Sequence, residues 1–185
     1  MNQDISPIGI TVYGASSRVI DKKYFEAARQ VGREIARAGL ATINGGGSMG
    51  LMGATIDGAL EEGGKCIGVI PEFMHERGWA HGGLSDLRVT DSMHSRKALM
   101  AALARGVIAL PGGIGTFDEL CEILTWRQLE LYLGNIVILN LDGYYNPFLE
   151  MLDKADKEGF MRTAKNDFYS VATTAEEAVR MAIGE

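Results

Sequence analysis

Three features of the sequence predict an α/β fold with a doubly wound, Rossmann-like parallel sheet. Short apolar runs alternate with longer segments of helical period along the chain. These runs are apolar throughout, which is typical of strands that helices cover on both faces. Glycine-rich turns separate several of the runs from the helices that follow. Joined by right-handed crossovers, such units give a sheet of about seven strands flanked by helices.

Seven short segments are the predicted strands, and the fourth is the weakest of them. They are Ile8 to Tyr13, Leu40 to Ile43, Cys66 to Ile70, Leu87 to Thr90, Gly106 to Leu110, Ile136 to Leu139 and Phe168 to Val171. Because no linker, repeat or low-complexity segment interrupts this series, we expect residues 1–185 to form a single Rossmann-like domain.

Helical periodicity fills most of the intervening sequence. The predicted helices run from about Asp21 to Ala38, Met49 to Glu62, Met93 to Ala104, from the turn at Pro111-Gly112-Gly113 to about Tyr132, Pro147 to Lys157 and Thr174 to Ile183. Gly39 is placed to end the first of them, because glycine readily adopts the left-handed conformation found at helix ends. The longest irregular stretch, Pro71 to Asp86, includes Trp79 and His81 and is interpreted as a candidate lid.

Composition and charge exclude several classes of protein. The chain has 185 residues and a formal charge of −6, without a basic tail, which disfavours binding to nucleic acid or to an anionic membrane. No uninterrupted apolar stretch approaches the roughly 20 residues of a membrane helix. Cys66 and Cys121 form no CxxC pair, and the first residues lack the pattern of a signal peptide. We therefore expect a cytoplasmic protein.

Three glycine-rich loops each follow a predicted strand and open a helix. They are Gly14-Ala15-Ser16-Ser17, Asn44-Gly45-Gly46-Gly47-Ser48-Met49-Gly50 and Pro111-Gly112-Gly113-Ile114-Gly115-Thr116. Such loops let backbone N–H groups approach a phosphate at a helix N-terminus, and the Ser16 and Thr116 hydroxyls can add donors. The alternative explanation is that these glycines only allow a tight turn between strand and helix. Neither a Walker A motif nor a dinucleotide fingerprint is present.

Two cations and one acid lie near these loops in the sequence. Arg96 and Lys97 fall in the first turn of a helix that Ser92 is placed to cap, where positive charge is unfavourable unless an anion offsets it. Glu119 follows Thr116 by three residues, and Asp118 points about 100° away from it around the helix. The alternatives are that Arg96 and Lys97 are solvated surface cations and that Glu119 only complements the helix dipole. The histidines show no metal-site spacing, and we expect neither a metal nor a cofactor.

Three motifs carry a resemblance to a known family. They are GGGSMGLMG at 45–53, SMHSRK at 92–97 and PGGIGTFDEL at 111–120. They resemble the LONELY GUY (LOG) family of cytokinin riboside 5′-monophosphate phosphoribohydrolases, and the similarity continues through Thr125-Trp126 and Asp142-Gly143-Tyr144-Tyr145. Members are often labelled lysine decarboxylase, but nothing in this sequence marks a pyridoxal phosphate site.

The resemblance implies hydrolysis of the N-glycosidic bond of an adenine-type nucleoside 5′-monophosphate, either AMP or an N6-modified form. The resemblance implies that Arg96 and Glu119 are the catalytic residues. It also implies that the protein forms a homodimer. The implied nucleotide contacts are Lys97, Gly112, Gly113, Gly115, Thr116 and Thr125. Glu119 would stabilise the sugar cation, while Arg96 would grip the nucleotide, position Glu119 or favour charge on the departing base. No acid for protonating the base is identifiable.

Two departures from the family pattern carry expectations of their own. Ser95 stands where many members have Glu, which predicts the loss of a capping box with Ser92. Gly78 stands where many members place a ligand-contacting Glu, so recognition of the base or ribose is expected to differ. A non-catalytic nucleotide-binding module or a carrier of a phosphorylated cofactor remains the alternative function, because fold alone does not determine function.

Overall fold

The computed structural model describes residues 8–161 and 168–185 of the chain. One sheet of seven parallel strands runs through it, as predicted, and the order of the strands is β4-β3-β2-β1-β5-β6-β7. The strands are β1 (Gly9–Tyr13), β2 (Ala41–Asn44), β3 (Cys66–Pro71), β4 (Asp86–Thr90), β5 (Ala104–Ala109), β6 (Asn135–Leu139) and β7 (Ser170–Ala172). Part of the last predicted strand, which began at Phe168, lies outside the observed β7.

Helices cover both faces of this sheet. They are α1 (Lys22–Arg37), α2 (Gly50–Glu61), α3 (Glu72–His75), α4 (Met93–Leu103), α5 (Ile114–Gln128), α6 (Asn146–Lys157) and α7 (Ala175–Ile183). One apolar core lies between the sheet and the side of α4 and α5, and a second lies on the side of α1, α2 and α7. In the described parts of the chain, no helix is long and apolar enough to cross a membrane.

Strand order reverses at the centre of the sheet. The chain moves outward from β1 to the edge strand β4, and α4 then returns it to β5, which pairs with the other side of β1. A crevice opens where consecutive connections leave a parallel sheet on opposite faces, at the carboxyl ends of the strands. The turns after β1 and β5 therefore border the position where a ligand is expected.

Local sequence explains where the first and fifth helices end. Gly39 follows the C-cap residue of α1 with a φ of +72°, in agreement with its predicted role. The fifth helix is shorter than predicted, because it ends at Gln128 and not near Tyr132. Glu130 adopts a left-handed φ of 59°, and Tyr132 then turns into the core. The apolar residues that extended the helical pattern thus belong partly to the following turn.

The start of α4 corrects one prediction. The Ser92 hydroxyl accepts a hydrogen bond from the Ser95 N–H at 3.1 Å, and the Ser95 hydroxyl accepts one from the Ser92 N–H at 3.2 Å. The capping box is therefore present, and the prediction that it is lost was wrong. A serine hydroxyl at the third helical position reaches back as a glutamate would, because the required span is short.

The stretch from Pro71 to Asp86 is more ordered than the irregular lid that the sequence suggested. It begins with the single turn of α3, and Ala80 forms an antiparallel bridge with Gly47. The ring of His81 lies 3.1 Å from an Asp57 carboxylate oxygen and accepts a hydrogen bond from the Gly83 N–H at 3.0 Å. These contacts attach the segment to α2 and to the loop after β2.

Close approach of α1 and α2 gives a test of the packing. A side-chain carbon at Gly58 would overlap the backbone carbonyl of Arg29, so the two helices would have to separate. We expect Gly58→Ala to lower the free energy of unfolding by about 1–3 kcal/mol, despite the better helix propensity of alanine. Urea denaturation measures the difference. Gly82→Ala is the control, because no atom lies within 4 Å of the added carbon; equal losses in both variants would contradict the explanation.

Candidate active site

A cavity of about 510 Å³ opens at the carboxyl ends of the central strands, within the range of small-molecule sites. Both turns at the reversal of strand order contribute to its wall, together with the loop after β2 and the end of β3. Its lining residues are Gly14, Ala15, Ser16, Ser17, Gly45, Gly47, Ser48, Met49, Met52, Ile70, Met74, Trp79, Arg96, Gly113, Ile114, Gly115, Thr116 and Glu119.

One end of the cavity is formed by the N-terminus of α5. Gly113 is the N-cap residue, and no side chain caps the helix. The first backbone bond of this turn joins the Phe117 N–H to the Gly113 carbonyl at 3.0 Å, so the preceding N–H groups have no partner within the helix. Thr116 is buried and lines the same end. Free N–H groups and the helix dipole make this end suited to an anion.

A buried ion pair lies in the wall of the cavity. The Arg96 Nη1 donates to the Glu119 Oε1 at 3.2 Å, and the two side chains are only 7% and 11% exposed. The Arg96 Nε also donates to the backbone carbonyl of Val69 at 3.0 Å. Arg96 is therefore held from two directions, by β3 and by α5, and is not one of the solvated surface cations considered from the sequence.

Burial raises the pKa of the Glu119 carboxyl to about 7, although the Arg96 guanidinium opposes this change. The exposed carboxylate of Asp118 raises the pKa further, and Lys97 lowers it. A carboxyl with a pKa near neutrality can hold or release a proton at physiological pH, which is the property that general acid–base catalysis requires.

The glycine loop after β2 makes room for the arginine. A side chain at Gly45 would collide with the Arg96 guanidinium, so this position accommodates glycine alone without a shift of the arginine. Asn44 fixes the loop, because its side-chain oxygen accepts from the Gly46 N–H at 2.9 Å and its amide donates to the Met52 carbonyl at 3.1 Å. This loop therefore supports the charged centre of the cavity.

The opposite end of the cavity is apolar. Ile70, Met74 and Trp79 line it where β3 ends. The Ser48 N–H donates to the Trp79 carbonyl at 3.0 Å, and Arg77 lies 5.2 Å from the centre of the indole ring. Trp79 is consequently held by its backbone to the glycine loop, with its ring against the cavity.

The structure brings most of the predicted site residues together. Those that line the cavity are Ser16, Gly45, Gly47, Arg96, Gly113, Gly115, Thr116 and Glu119. Gly46 and Gly112 lie in the same loops without lining it. Lys97 contacts Asp118 at 2.9 Å on another face of α5, and the Thr125 hydroxyl donates to the Cys121 carbonyl at 2.8 Å. Neither Lys97 nor Thr125 lines the cavity.

Sequence reasoning missed Ile70 and Met74 as cavity residues, whereas Ser48 belongs to a glycine-rich loop that was predicted to bind the ligand. Ile70 has the character of an ordinary strand residue, and only its place at the end of β3 distinguishes it. Met74 lies in a segment that was expected to be irregular. Ile70 is the second-last residue of β3 and Met74 lies three residues beyond its end, so attention to the carboxyl ends of the parallel strands would have found both.

Comparison with known proteins agrees with the motifs. The sequence model of a family described as "possible lysine decarboxylase" matches residues 52–182. A cytokinin riboside 5′-monophosphate phosphoribohydrolase of Rhodococcoides fascians is 42% identical over 94% of this chain and 88% of its own length. The enzyme named LOG from Oryza sativa subsp. japonica is 40% identical, over 92% of this chain and 70% of its own length. The chain belongs to the LOG family.

Solved structures with the same fold include proteins that are described as cofactor-binding or carrier proteins and not as hydrolases. The molybdenum cofactor binding protein of Rippkaea orientalis superposes on the LOG-family chain with a TM-score of 0.73, at 21% identity and over 96% of both chains. The molybdenum cofactor carrier protein of Chlamydomonas reinhardtii gives 0.70 at 22% identity, over 95% of this chain and 96% of its own. At such identity the likeness establishes the fold alone.

The environment of Glu119 in this LOG-family chain makes folding depend on pH. The ordinary pKa of the carboxyl is 4.5 and that of the folded state is about 7, so the folded state binds the proton more tightly. The stability that this proton contributes is present at low pH and is lost as the pH rises toward 7. Between pH 5 and 8 we expect the unfolding free energy of Glu119→Gln to rise by about 2–3 kcal/mol relative to wild type.

Urea denaturation of both proteins across this pH range measures the effect. Other titrating groups cancel, because the two proteins differ at one residue and only the difference between their curves is used. Curves that stay parallel from pH 5 to 8 would contradict the raised pKa.

Proposed function

We propose that this chain hydrolyses the N-glycosidic bond of adenine-type nucleoside 5′-monophosphates, releasing the base and ribose 5-phosphate. The observation that carries the proposal is the buried Arg96–Glu119 pair in the wall of a cavity that has an anion cradle at one end. The relatives named as cytokinin riboside 5′-monophosphate phosphoribohydrolases support it. We further propose that residues 1–185 act as one catalytic domain.

The order of the strands supports a defined orientation for the nucleotide. From β3 through β2 and β1 to β5, the cavity spans three strand spacings of about 4.8 Å, or about 14 Å in total. The phosphate would lie at the β5 end, on the N–H groups that start α5 and near the Ser16 and Thr116 hydroxyls. The base would lie at the apolar β3 end. The ribose then falls between them, beside the charged pair.

Glu119 would act on the anomeric carbon. As the bond to the base breaks, its electron pair leaves with the base nitrogen and positive charge grows on the sugar ring. An ionised carboxylate beside that ring stabilises the charge and can accept a proton from the attacking water. The water oxygen forms the new bond to the anomeric carbon. The departing base takes up a proton from solvent, and Glu119 later returns to solvent the proton that it accepted from the water.

Arg96 would orient this carboxylate. Its two hydrogen bonds, to Glu119 and to the Val69 carbonyl, restrict the guanidinium to one position, and Gly45 leaves space for it. A fixed cation lowers the reorganisation that the carboxylate needs during the reaction. Of the roles that the sequence leaves open for Arg96, the positioning of Glu119 has the most direct structural support.

The apolar end would receive the base. Trp79 and Met74 offer a flat ring and a flexible thioether, which suit an aromatic heterocycle and an apolar substituent on it. Gly78, which precedes Trp79 in the chain, does not line the cavity. Relative rates with AMP and with N6-isopentenyl-AMP would therefore measure how much an N6 substituent contributes to binding.

Replacement of Glu119 tests the reaction. We expect Glu119→Gln to fold and to bind AMP but to release base at least about 100-fold more slowly, because it removes the carboxylate from the sugar cation. Free base is measured by chromatography after incubation with AMP, N6-isopentenyl-AMP and adenosine. Glu122→Gln is the matched control on the same helix, since its carboxylate pairs with Lys97 at 3.3 Å outside the cavity.

Two outcomes of this experiment would contradict the proposal. Turnover of Glu119→Gln near the wild-type rate would remove the role of the carboxylate. Binding of AMP by the wild type without release of base from any monophosphate would favour the alternative, a nucleotide-binding or cofactor-carrying module.

We also propose that the protein is a cytoplasmic homodimer. Large apolar side chains are exposed on and after α5 and α6, including Leu131 at 70%, Met151 at 64% and Phe160 at 78%. Burying them against a second copy would remove this apolar area from water. The free thiols Cys66 and Cys121 suit a reducing compartment.

Sedimentation equilibrium measures the assembly. We expect a mass of about twice the 20.0 kDa of one chain, and a shift toward the monomer when Leu131 and Met151 are both changed to Glu. A wild-type protein that stays monomeric at micromolar concentration would contradict the dimer. Gln128→Glu is a control for added charge alone.

A further inference from the structure

Tyr144 lies directly behind the turn that forms the anion cradle. Its hydroxyl donates to the Gly112 carbonyl at 2.6 Å. Neither the motifs nor the comparisons assign a role to this residue, and Tyr144 does not line the cavity. We propose that Tyr144 is a positioning residue that fixes the Gly112–Gly113 peptide, so that the Gly113 N–H faces the substrate phosphate. This inference rests on the proposed function.

The planarity of the peptide bond fixes the direction of the Gly113 N–H. The chain has no cis peptide bond among the described residues, so the carbonyl of Gly112 and the N–H of Gly113 point in opposite directions. A carbonyl that accepts from Tyr144, behind the turn, therefore sends the Gly113 N–H toward the other side. Gly113 lines the cavity on that side and begins α5.

A peptide between two glycines needs such a restraint. Glycine has access to more backbone conformations than other residues, so this peptide can rotate more easily than its neighbours. In the wrong orientation it would present a carbonyl oxygen to the phosphate and repel it. The hydroxyl of Tyr144 selects the orientation that presents a donor before the substrate arrives, which reduces the cost of binding.

The carbonyls of Leu110, Pro111 and Gly112 each accept a hydrogen bond, but only the bond to Gly112 orients an N–H group toward the cavity. The Leu110 carbonyl accepts from the Tyr145 hydroxyl at 2.7 Å, and the Pro111 carbonyl accepts from the Ala15 N–H at 3.4 Å. The peptide after Leu110 ends in the nitrogen of Pro111, which carries no hydrogen. Tyr145 therefore aims no donor at the cavity, whereas Tyr144 aims one.

Tyr144 is itself held in place from several sides. Its ring meets those of Tyr24 and Tyr145 edge-on, at centroid distances of 6.1 and 5.1 Å. The preceding 3₁₀ turn at Leu141–Gly143 includes Asp142 in a left-handed conformation, with a φ of 50°. The carboxylate of Asp142 forms an ion pair with Lys23 at 2.7 Å. The Tyr144 side chain is 38% exposed, but its ring contacts and its bond to Gly112 hold the hydroxyl against the turn.

Comparison of two single-hydroxyl deletions tests the proposal. We expect Tyr144→Phe to raise the KM for AMP, and the inhibition constant of ribose 5-phosphate, by about 2- to 12-fold, the effect of losing one hydrogen bond. The kcat for AMP and the kcat/KM for adenosine, which has no phosphate, should stay near wild type. Tyr145→Phe should lower the urea midpoint but leave the KM for AMP unchanged.

Three results would overturn the inference. They are an unchanged KM and inhibition constant in Tyr144→Phe, an equal rise in both variants, and an equal loss of kcat/KM with AMP and adenosine. If the wild type releases no base at all, the proposed function fails separately. Calorimetric binding of AMP and ribose 5-phosphate to the same variants then still measures the role of Tyr144, with the same expected change in affinity.

Discussion

The reversal of strand order between β1 and β5 is the constraint on which the site depends. It requires α4 to cross from the edge strand β4 back to the centre, and this crossing brings Arg96 over the end of β3 and beside the loop after β2. The same reversal places the turn after β5 next to the turn after β1. A charged group from the returning helix and an anion cradle from α5 are therefore assembled by one topological feature.

The ion pair of Arg96 and Glu119 is incompletely compensated. Burial penalises the Glu119 carboxylate more than the Arg96 guanidinium stabilises it, and the pKa of the carboxyl is raised to about 7 as a result. A fully solvated pair would leave the carboxyl permanently ionised and mobile. The protein accepts an unfavourable buried charge here, which is common where a group must exchange protons with a substrate.

The sequence predicted some helices and strands closely and misplaced the ends of others. The strand β1 and the helix α1 were predicted closely, because a continuous apolar run and an amphipathic period are local signals, with Gly39 as a clear stop. The end of α5 was misplaced, since apolar residues up to Tyr132 continue the pattern although Glu130 turns the chain away. The capping box of α4 was missed because the sequence motif names glutamate or glutamine, whereas the shorter Ser95 side chain also reaches the Ser92 N–H.

By itself, the sequence determined the α/β class, the glycine-rich turns at strand ends and the identity of the charged residues near them, because these depend on periodicity and on short-range motifs. Only the tertiary structure decided that Arg96 and Glu119 meet, that Lys97 and Thr125 face away from the cavity, and that Tyr144 supports Gly112 from behind. The physical reason is distance along the chain. Contacts such as Arg96 with Glu119 or Tyr144 with Gly112 join residues more than 20 positions apart, and their geometry is set by strand order and helix rotation.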